Sequence, residues 1–422
     1  MKKSSRIYDK TIVKRRLFFV SWENIVLSPI IERLFEWARL CYDRHERQGT
    51  IVGNHTLRQL FGTKSPYNIE ENEARFLAAM QETVRAVWSA SPKYRALATS
   101  FSFAPPVLRT VKDLERIPPI PTLYFKRNDF TLKHGIGVEV TSSGTSGQVS
   151  RIRYSAAELR MMAQMAVCLG RFHGLFSTKP VHYLILGYQP SIRNPMVISK
   201  TAYLSTWYAP ALSRTYALMR REGEYRLEAA ALVRRLLRCS QGRHPVRVIG
   251  FPSYASFLLK WMKKKGKCCR LPAGSCALLG GGWKQFAGLE ISKEELKELF
   301  WEVLGIPAEG IHEFFGAAEH PVLYCTCANG HFHIPAYARV LIRDTATLKP
   351  LPPGQPGLVN LLTPMTGSLP LMSVMTDDLG VVHPGKACGC GITAPWLEIL
   401  GRVGAAGLGT CSAGAQEYWN RQ

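Results

Sequence analysis

Seven consecutive residues, Thr141, Ser142, Ser143, Gly144, Thr145, Ser146 and Gly147, are all glycine, serine or threonine. A stretch without bulky side chains can set successive backbone N–H groups and hydroxyls around phosphate oxygens. The Gly-Lys-Ser/Thr ending of a Walker A loop is missing, which argues against the switch-type NTPases. A second group of residues with chemical potential is built from cysteine. Cys325-x-Cys327 and Cys388-x-Cys390 bracket His331 and His333. Two such pairs supply four thiolates for a tetrahedral zinc, with a histidine as a substitute ligand, or else are reduced core and loop cysteines.

The elements that must position these residues belong to a long chain. With 422 residues and 46% hydrophobic composition it has enough material for a sizeable core, in two or three domains or one large α/β domain with an appendage. The 54 Lys+Arg outnumber the 31 Asp+Glu and give a net charge of +23, which favours polyanions in general. The basic residues are scattered, as in Lys14-Arg15-Arg16, Arg234-Arg235 and Lys263-Lys264-Lys265, and no nucleic-acid-binding motif accompanies them. They read as a solvated basic surface, with no nucleic-acid partner. The 11 cysteines without a signal peptide indicate a reducing compartment and a cytoplasmic protein. Residues 17–31 are apolar but interrupted by Glu23 and Asn24, and too short to span a bilayer.

Along the chain, residues 1–65 read as a basic N-terminal extension, partly helical over 29–44. An amphipathic helix follows over 70–89, its stripe formed by Phe76, Met80, Val84 and Val87. Pro105, Pro106, Pro118, Pro119 and Pro121 predict extended chain leading to the Gly/Ser/Thr loop. Residues 136–140 and 151–154 read as strands on either side of that loop. Ser155-Ala156-Ala157-Glu158 is a capping box opening a helix to about residue 171. Strands over 181–186, 246–250 and 276–279 alternate with helices over 227–239 and 254–263, and a second capping box, Ser292 to Glu295, starts a helix ending near 304. This alternation predicts a mostly parallel sheet with helices on both faces and ligands beyond the carboxyl ends of its strands. From Tyr337 onward short strands with Pro/Gly turns predict a smaller β-rich subdomain.

Several further motifs stand in a fixed order behind the loop: Gly280-Gly281-Gly282, Phe314-Phe315-Gly316-Ala317-Ala318-Glu319, Thr376-Asp377-Asp378-Leu379-Gly380 and Ile399-Leu400-Gly401-Arg402. In this order the chain resembles the adenylate-forming, phenylacetate-CoA-ligase-like superfamily, and over most of its length the acyl-protein synthetases of LuxE type. The resemblance implies an α/β adenylate-forming large-domain fold, with mostly parallel sheets flanked by helices, and a small β-rich C-terminal subdomain. It implies an adenylation core over 66–335, a subdomain over 336–404 completing the ATP site, and a tail over 405–422.

By the same resemblance ATP sits on residues Thr141 to Gly147, Gly280, Gly281 and Gly282 lie against adenine, and the Phe315 ring packs on it beside Gly316. Glu319 holds magnesium, Asp378 takes the ribose hydroxyls and Arg402 lies near ribose or phosphate. Asp377 replaces the usual glycine. The family's lysine after the loop is replaced by Ser150, with Arg151 beside it. The chain ends 20 residues after Arg402, so the mobile C-terminal domain of acyl-CoA ligases, with its catalytic lysine, is expected to be absent. Lys284 is a candidate substitute cation or an ordinary surface lysine. Cys411, flanked by glycines, matches the family's acyl-acceptor cysteine, or is an inert thiol on a frayed end. Related ligases carry cysteines near Cys325, Cys327, Cys388 and Cys390, which makes these the candidate zinc ligands.

The expected activity is ATP-dependent, AMP-forming activation of a carboxylic acid, a fatty acid foremost, followed by transfer to the Cys411 thiol and then to a reductase or acyl-carrier protein. One alternative is a stand-alone ligase that passes an acyl or aryl group to CoA, a carrier protein or an amine. Another is a catalytically silent nucleotide-binding module.

Overall fold

The computed structural model describes residues 60, 65–105, 107–127, 137–142, 150–190, 197–221, 224–367 and 369–402. The expected extension over 1–65 and the tail after Arg402 fall almost wholly outside them. Helix α1, Ile69–Ala90, buries Phe76, Met80, Val84 and Val87, the stripe expected from the sequence. After α2, Pro92–Ser100, the proline-rich segment departs from a purely extended course. It forms a 3-10 turn, Val111–Arg116, then strand β1, Ile120–Pro121, and helix α3, Thr122–Arg127. Proline fixes an extended φ at its own position but tolerates a helix starting immediately behind it.

Strands β2, Gly137–Thr141, and β3, Arg151–Ser155, form an antiparallel hairpin. Ser155 then caps α4, Ala156–Phe172: its hydroxyl accepts from the Glu158 N–H, and the Glu158 carboxylate accepts from the Ser155 N–H at 2.7 Å.

The large sheet holds β4 (Val181–Tyr188), β5 (Ala211–Arg221), β6 (Glu224–Leu227), β7 (Val246–Gly250), β8 (Cys276–Gly280), β9 (Ile311–Ala317) and β10 (His320–Cys325). Its order is β10-β9-β8-β7-β4-β5-β6; the five inner strands run parallel, and the edge strands β6 and β10 are antiparallel to their neighbours. Helices α5, Val197–Leu204, α6, Ala229–Ser240, α7, Pro252–Lys264, and α8, Lys293–Leu304, make the crossovers. The Ser292 hydroxyl accepts from the Glu295 N–H at 3.0 Å to open α8, and Gly305 ends it in the left-handed region, φ 70°.

A second sheet carries β11, Phe332–His333, β12, Arg339–Arg343, β13, Gly357–Leu362, β14, Ser373–His383, and β15, Trp396–Arg402, in the order β11-β15-β14-β13-β12. Strand β1 joins it, parallel to β14 at Val374 and Met375. One apolar cluster runs from α1 and α4 into this sheet, so the amino-terminal helices share their core with the β-rich region. No helix among the described residues is long and apolar enough to cross a membrane.

Candidate active site

The Gly/Ser/Thr loop hangs from the β2–β3 hairpin. Thr141 pairs with Arg151, the Ser142 N–H donates to the Ser150 carbonyl at 3.1 Å, and the Ser150 N–H donates to the Ser142 hydroxyl at 2.9 Å. These bonds close the neck of a loop whose own residues, Ser143, Gly144, Thr145, Ser146 and Gly147 among them, lie outside the described ones. On β3 the buried Tyr154 donates its hydroxyl to the Ala318 carbonyl at 2.7 Å. The hairpin is thereby tied to the residue preceding Glu319.

Glu319 is 4% exposed. Burial pushes its carboxyl above the usual range; the Ser150 hydroxyl, its own backbone N–H and the Lys126 charge pull it back, and Asp377 adds to the rise. A buried carboxyl raised in this way is one whose negative charge a bound cation would restore. Asp377 and Asp378 sit where β14 changes neighbours. Its first residues lie beside β1, and Asp378 begins the stretch paired with β15. Helix α3, which follows β1 directly, thus carries Lys126 to this junction, while β15 places Arg402 opposite Asp378. The Arg402 Nε donates to Asp378 Oδ1 at 2.9 Å, with the arginine side chain 59% exposed and the aspartate 10%. Asp378 above all, and then Asp377 and Glu319, hold the guanidinium in its charged form.

At the carboxyl end of β8, a Cβ on Gly280 would lie 3.2 Å from the Phe314 carbonyl. Gly281 and Gly282 follow in left-handed conformations, φ 86° and 64°, and a Cβ on Gly282 would meet nothing within 4 Å. The result is bare backbone at an open mouth, suited to a flat ligand. The half-buried Phe315 ring leans on Tyr324 and Phe332, with ring centroids 5.7 and 5.9 Å away, and Gly316 continues its strand. Lys284 opens a 3-10 turn, Lys284–Leu289, and its side chain lies outside the described residues, as does Cys411.

The cysteine pairs resolve differently from the expected four-thiolate set. Cys327, Cys388, Cys390 and His333 bring their ligating atoms within 4.8 Å of one another, whereas Cys325 belongs to a separate group with His173 and His312. Cys325 ends β10 in register with Phe314, and its thiol lies near the Thr326 carbonyl at 3.7 Å. Beyond it the chain turns, with the Cys327 N–H donating to His331 O and Gly330 N–H to Cys327 O, and β11 returns His333 to Cys327. A close approach fixes the other side of the centre: a Cβ on Gly385 would fall 2.0 Å from the Thr393 carbonyl.

The His333 Nδ1 donates to the Ala394 carbonyl at 2.6 Å and leaves Nε2 facing Cys390 Sγ at 3.2 Å. This is how a ligating imidazole is held by a second partner. Cys327 Sγ and Cys388 Sγ are 3.5 Å apart. Burial raises Cys327, but the groups hydrogen-bonded around it, backbone N–H groups among them, bring it down to about 6; burial and the neighbouring thiols push Cys388 up to about 12. Three sulfurs and one ring nitrogen at this spacing fit a tetrahedral zinc.

Of the residues singled out in the sequence, the structure brings Glu319, Asp378 and Arg402 near one another and gathers three of the four cysteines with His333. Lys126, which the sequence reading did not single out, stands near Glu319.

The fold is that of the adenylate-forming ligases. A 2-hydroxyisobutyryl-CoA ligase in complex with 2-HIB-AMP and CoA has the same fold, at a TM-score of 0.61 and 19% identity over 80% of this chain and 76% of that one. Its postadenylation state gives 0.60 and 19% over 79% and 68%. The family model "Acyl-protein synthetase, LuxE" matches residues 51–419, and the chain belongs to that family. It is an ATP-dependent, AMP-forming ligase. Among curated relatives, the long-chain-fatty-acid–luciferin-component ligase of Vibrio harveyi is 26% identical over 309 residues, covering 72% of this chain and 78% of the relative. Its counterpart in Aliivibrio fischeri is 23% identical over 277 residues, covering 64% and 70%.

Proposed function

We propose that this protein activates a carboxylic acid as its acyl-adenylate and transfers the acyl group to its own Cys411. The carrying observation is the Tyr154–Ala318 hydrogen bond, which holds the mouth of the phosphate loop against Glu319 while α3 and β15 direct Lys126 and Arg402 to the same point. In this reading the loop from Thr141 to Gly147 holds the phosphates, and adenine lies over Gly280, Gly281 and Gly282 beside Phe315 and Gly316. Asp378, oriented by Arg402, receives the ribose hydroxyls. Glu319 would hold the magnesium that accompanies ATP, which would supply positive charge for the pyrophosphate leaving group.

A carboxylate oxygen attacks the α-phosphorus; the new P–O bond forms as the bond to the β-phosphate oxygen breaks, and pyrophosphate leaves. Lys126 supplies a positive field at the reacting phosphate, with Lys284 the other candidate. The deprotonated Cys411 thiol then attacks the acyl carbonyl. A C–S bond forms, the C–O bond to phosphate breaks, and AMP departs with its electron pair. The relatives named above act on long-chain fatty acids and a luciferin component. For this chain a fatty acid, and a reductase or carrier protein as final acceptor in the cytoplasm, follow by analogy. The centre of Cys327, His333, Cys388 and Cys390 takes a structural zinc that pins the turns beside β11 and β15. Metal analysis of purified protein should find about one zinc per chain, lost in Cys390→Ser; a metal-free, equally stable protein would dispose of this assignment.

Intact-protein mass spectrometry after incubation with ATP, magnesium and a panel of acids tests the main reading. A hydroxylamine-sensitive acyl adduct that vanishes in Cys411→Ala is the expected result. Pyrophosphate release without an adduct would redirect the second step to an external acceptor. Absence of pyrophosphate with every acid would end the reading.

A further inference from the structure

Below the proposed adenylation centre, one face of the large sheet carries a cation with no neutralising partner among the described residues. Arg247, on β7, is 5% exposed, and its Nε and Nη1 find no hydrogen-bond partner. No ion pair to it exists among the described residues. The other buried arginines each have acceptors: Arg343 donates to the Asn360 side chain and the Leu348 carbonyl, and Arg339, whose Nε and Nη2 also lack partners, donates through Nη1 to the Ala336 and Ala338 carbonyls. A guanidinium buried without an acceptor loses its hydration with nothing in return. A buried site retaining that cost is built for an anion.

The strand register shows where the anion would lie. Tyr183, Arg247 and Cys276 are neighbours across β4, β7 and β8; the next row on the same face joins Ile185, Ile249, Leu278 and His312; Gly280 and Phe314 pair at the carboxyl edge. From the glycines proposed to lie under adenine, the face thus descends past Phe314 and His312 to Arg247. Four residues of strand separate Gly280 from Cys276, about 13 Å at the usual rise per residue. Tyr183, Tyr208 and Leu278 pack on this face, and the Arg247 charge acts on Tyr183, Tyr208, Cys276 and His312. A wall made for a plain alkyl chain would end in aliphatic side chains. This one ends in a guanidinium and an imidazole.

The geometry points to a carboxylate subsite at Arg247 and His312 that receives the far end of the acid whose near end is adenylated. The inference rests on the adenylation reading and deepens it: the substrate class is the α,ω-dicarboxylic acids. The planar guanidinium matches a carboxylate better than any other small anionic terminus of an acyl chain.

The test pairs turnover with binding on the full-length protein. Pyrophosphate release is measured with saturated monocarboxylic acids and α,ω-dicarboxylic acids of equal chain length. Melting temperature is measured without ATP in the presence of the same acids and of acetate alone. Dicarboxylic acids should exceed their partners in kcat/KM by at least about a hundredfold, because a site with buried polar groups discriminates against the ligand that leaves them unpaired. Arg247→Met should erase that ratio and raise the melting temperature of the ligand-free protein, and Arg247→Lys should keep part of the preference. Stabilisation by acetate equal to that by the dicarboxylates, lost in Arg247→Met, would keep the carboxylate site but assign it to a free anion. Arg247-dependent stabilisation without pyrophosphate release from any acid would keep the site and remove the reaction. Monocarboxylic acids turned over as well as dicarboxylic ones, with no Arg247-dependent stabilisation, would overturn the inference and leave adenylation intact.

Discussion

The two faces of the seven-stranded sheet are made from the same strands and could hardly differ more. On β7, Val246 and Val248 point into a cluster of leucines, valines and Phe300 packed by α6, α7 and α8, while Arg247 and Ile249 point the other way, towards tyrosines and His312. Parallel strands covered on both sides are commonly apolar throughout. Here only one side obeys. The aliphatic face holds the sheet together, and the opposite face gives up some of that stability to carry polar groups beneath the proposed nucleotide mouth. Alternation of period two lets one strand do both, since each residue along it faces the other layer.

This division is broken most directly on the aliphatic side. Phe300 on α8 is fully buried in that cluster. Phe300→Ala should cost about 3–5 kcal/mol of unfolding free energy, as the lost transfer energy and the cavity left behind add. Chemical denaturation measures the loss, and the ratio of turnover between any two acids should stay unchanged in the fraction that remains folded. A shift in acid preference would mean that the two faces are mechanically coupled and the division is false.

The same contrast explains what could be read in the chain. The aliphatic strands β4, β7 and β8 and helix α8 were legible because burial on two sides and, at Ser292, a side-chain cap leave local signatures. Strand β5 was not, since Ala211–Arg221 mixes Ser213, Arg214 and Thr215 with apolar residues in no clean period. Glu319, Asp378 and Arg402 were legible through a resemblance in motif order, but their convergence depends on β14 exchanging β1 for β15, a pairing that joins residues over 250 apart in the chain. Lys126 was hidden for that reason. At the cysteine centre, spacing favoured Cys325 because the pairs looked symmetrical. Cys325 is the last residue of β10 and stays with that strand, whereas Cys327 lies in the turn beyond it, and the return of the chain through β11 brought His333 into the fourth place. Arg247 looks like any basic residue until its burial is known.

Acid is the gentler probe of the polar side. His173, which accepts or donates a 2.7 Å hydrogen bond with the Tyr67 hydroxyl, is held down to about 4 by burial, helped by His312 and His333. His312 is lowered by burial and then by Arg247. In the unfolded chain such histidines take up a proton near the usual 6.5, whereas folded His173 stays neutral until about 4. Between those values the unfolded state binds more protons, so stability falls as the pH is lowered, by about 1.4 kcal/mol per pH unit for a single such group. The aliphatic cluster contains no group that gains a proton in this range. Urea titrations at pH 7, 6 and 5 should therefore show an acid slope in Phe300→Ala equal to that of the native protein. In His173→Gln the slope should flatten by about the contribution of one histidine. An unchanged slope in that variant would place the acid sensitivity elsewhere, with the buried His320 beside Tyr324 the next group to examine.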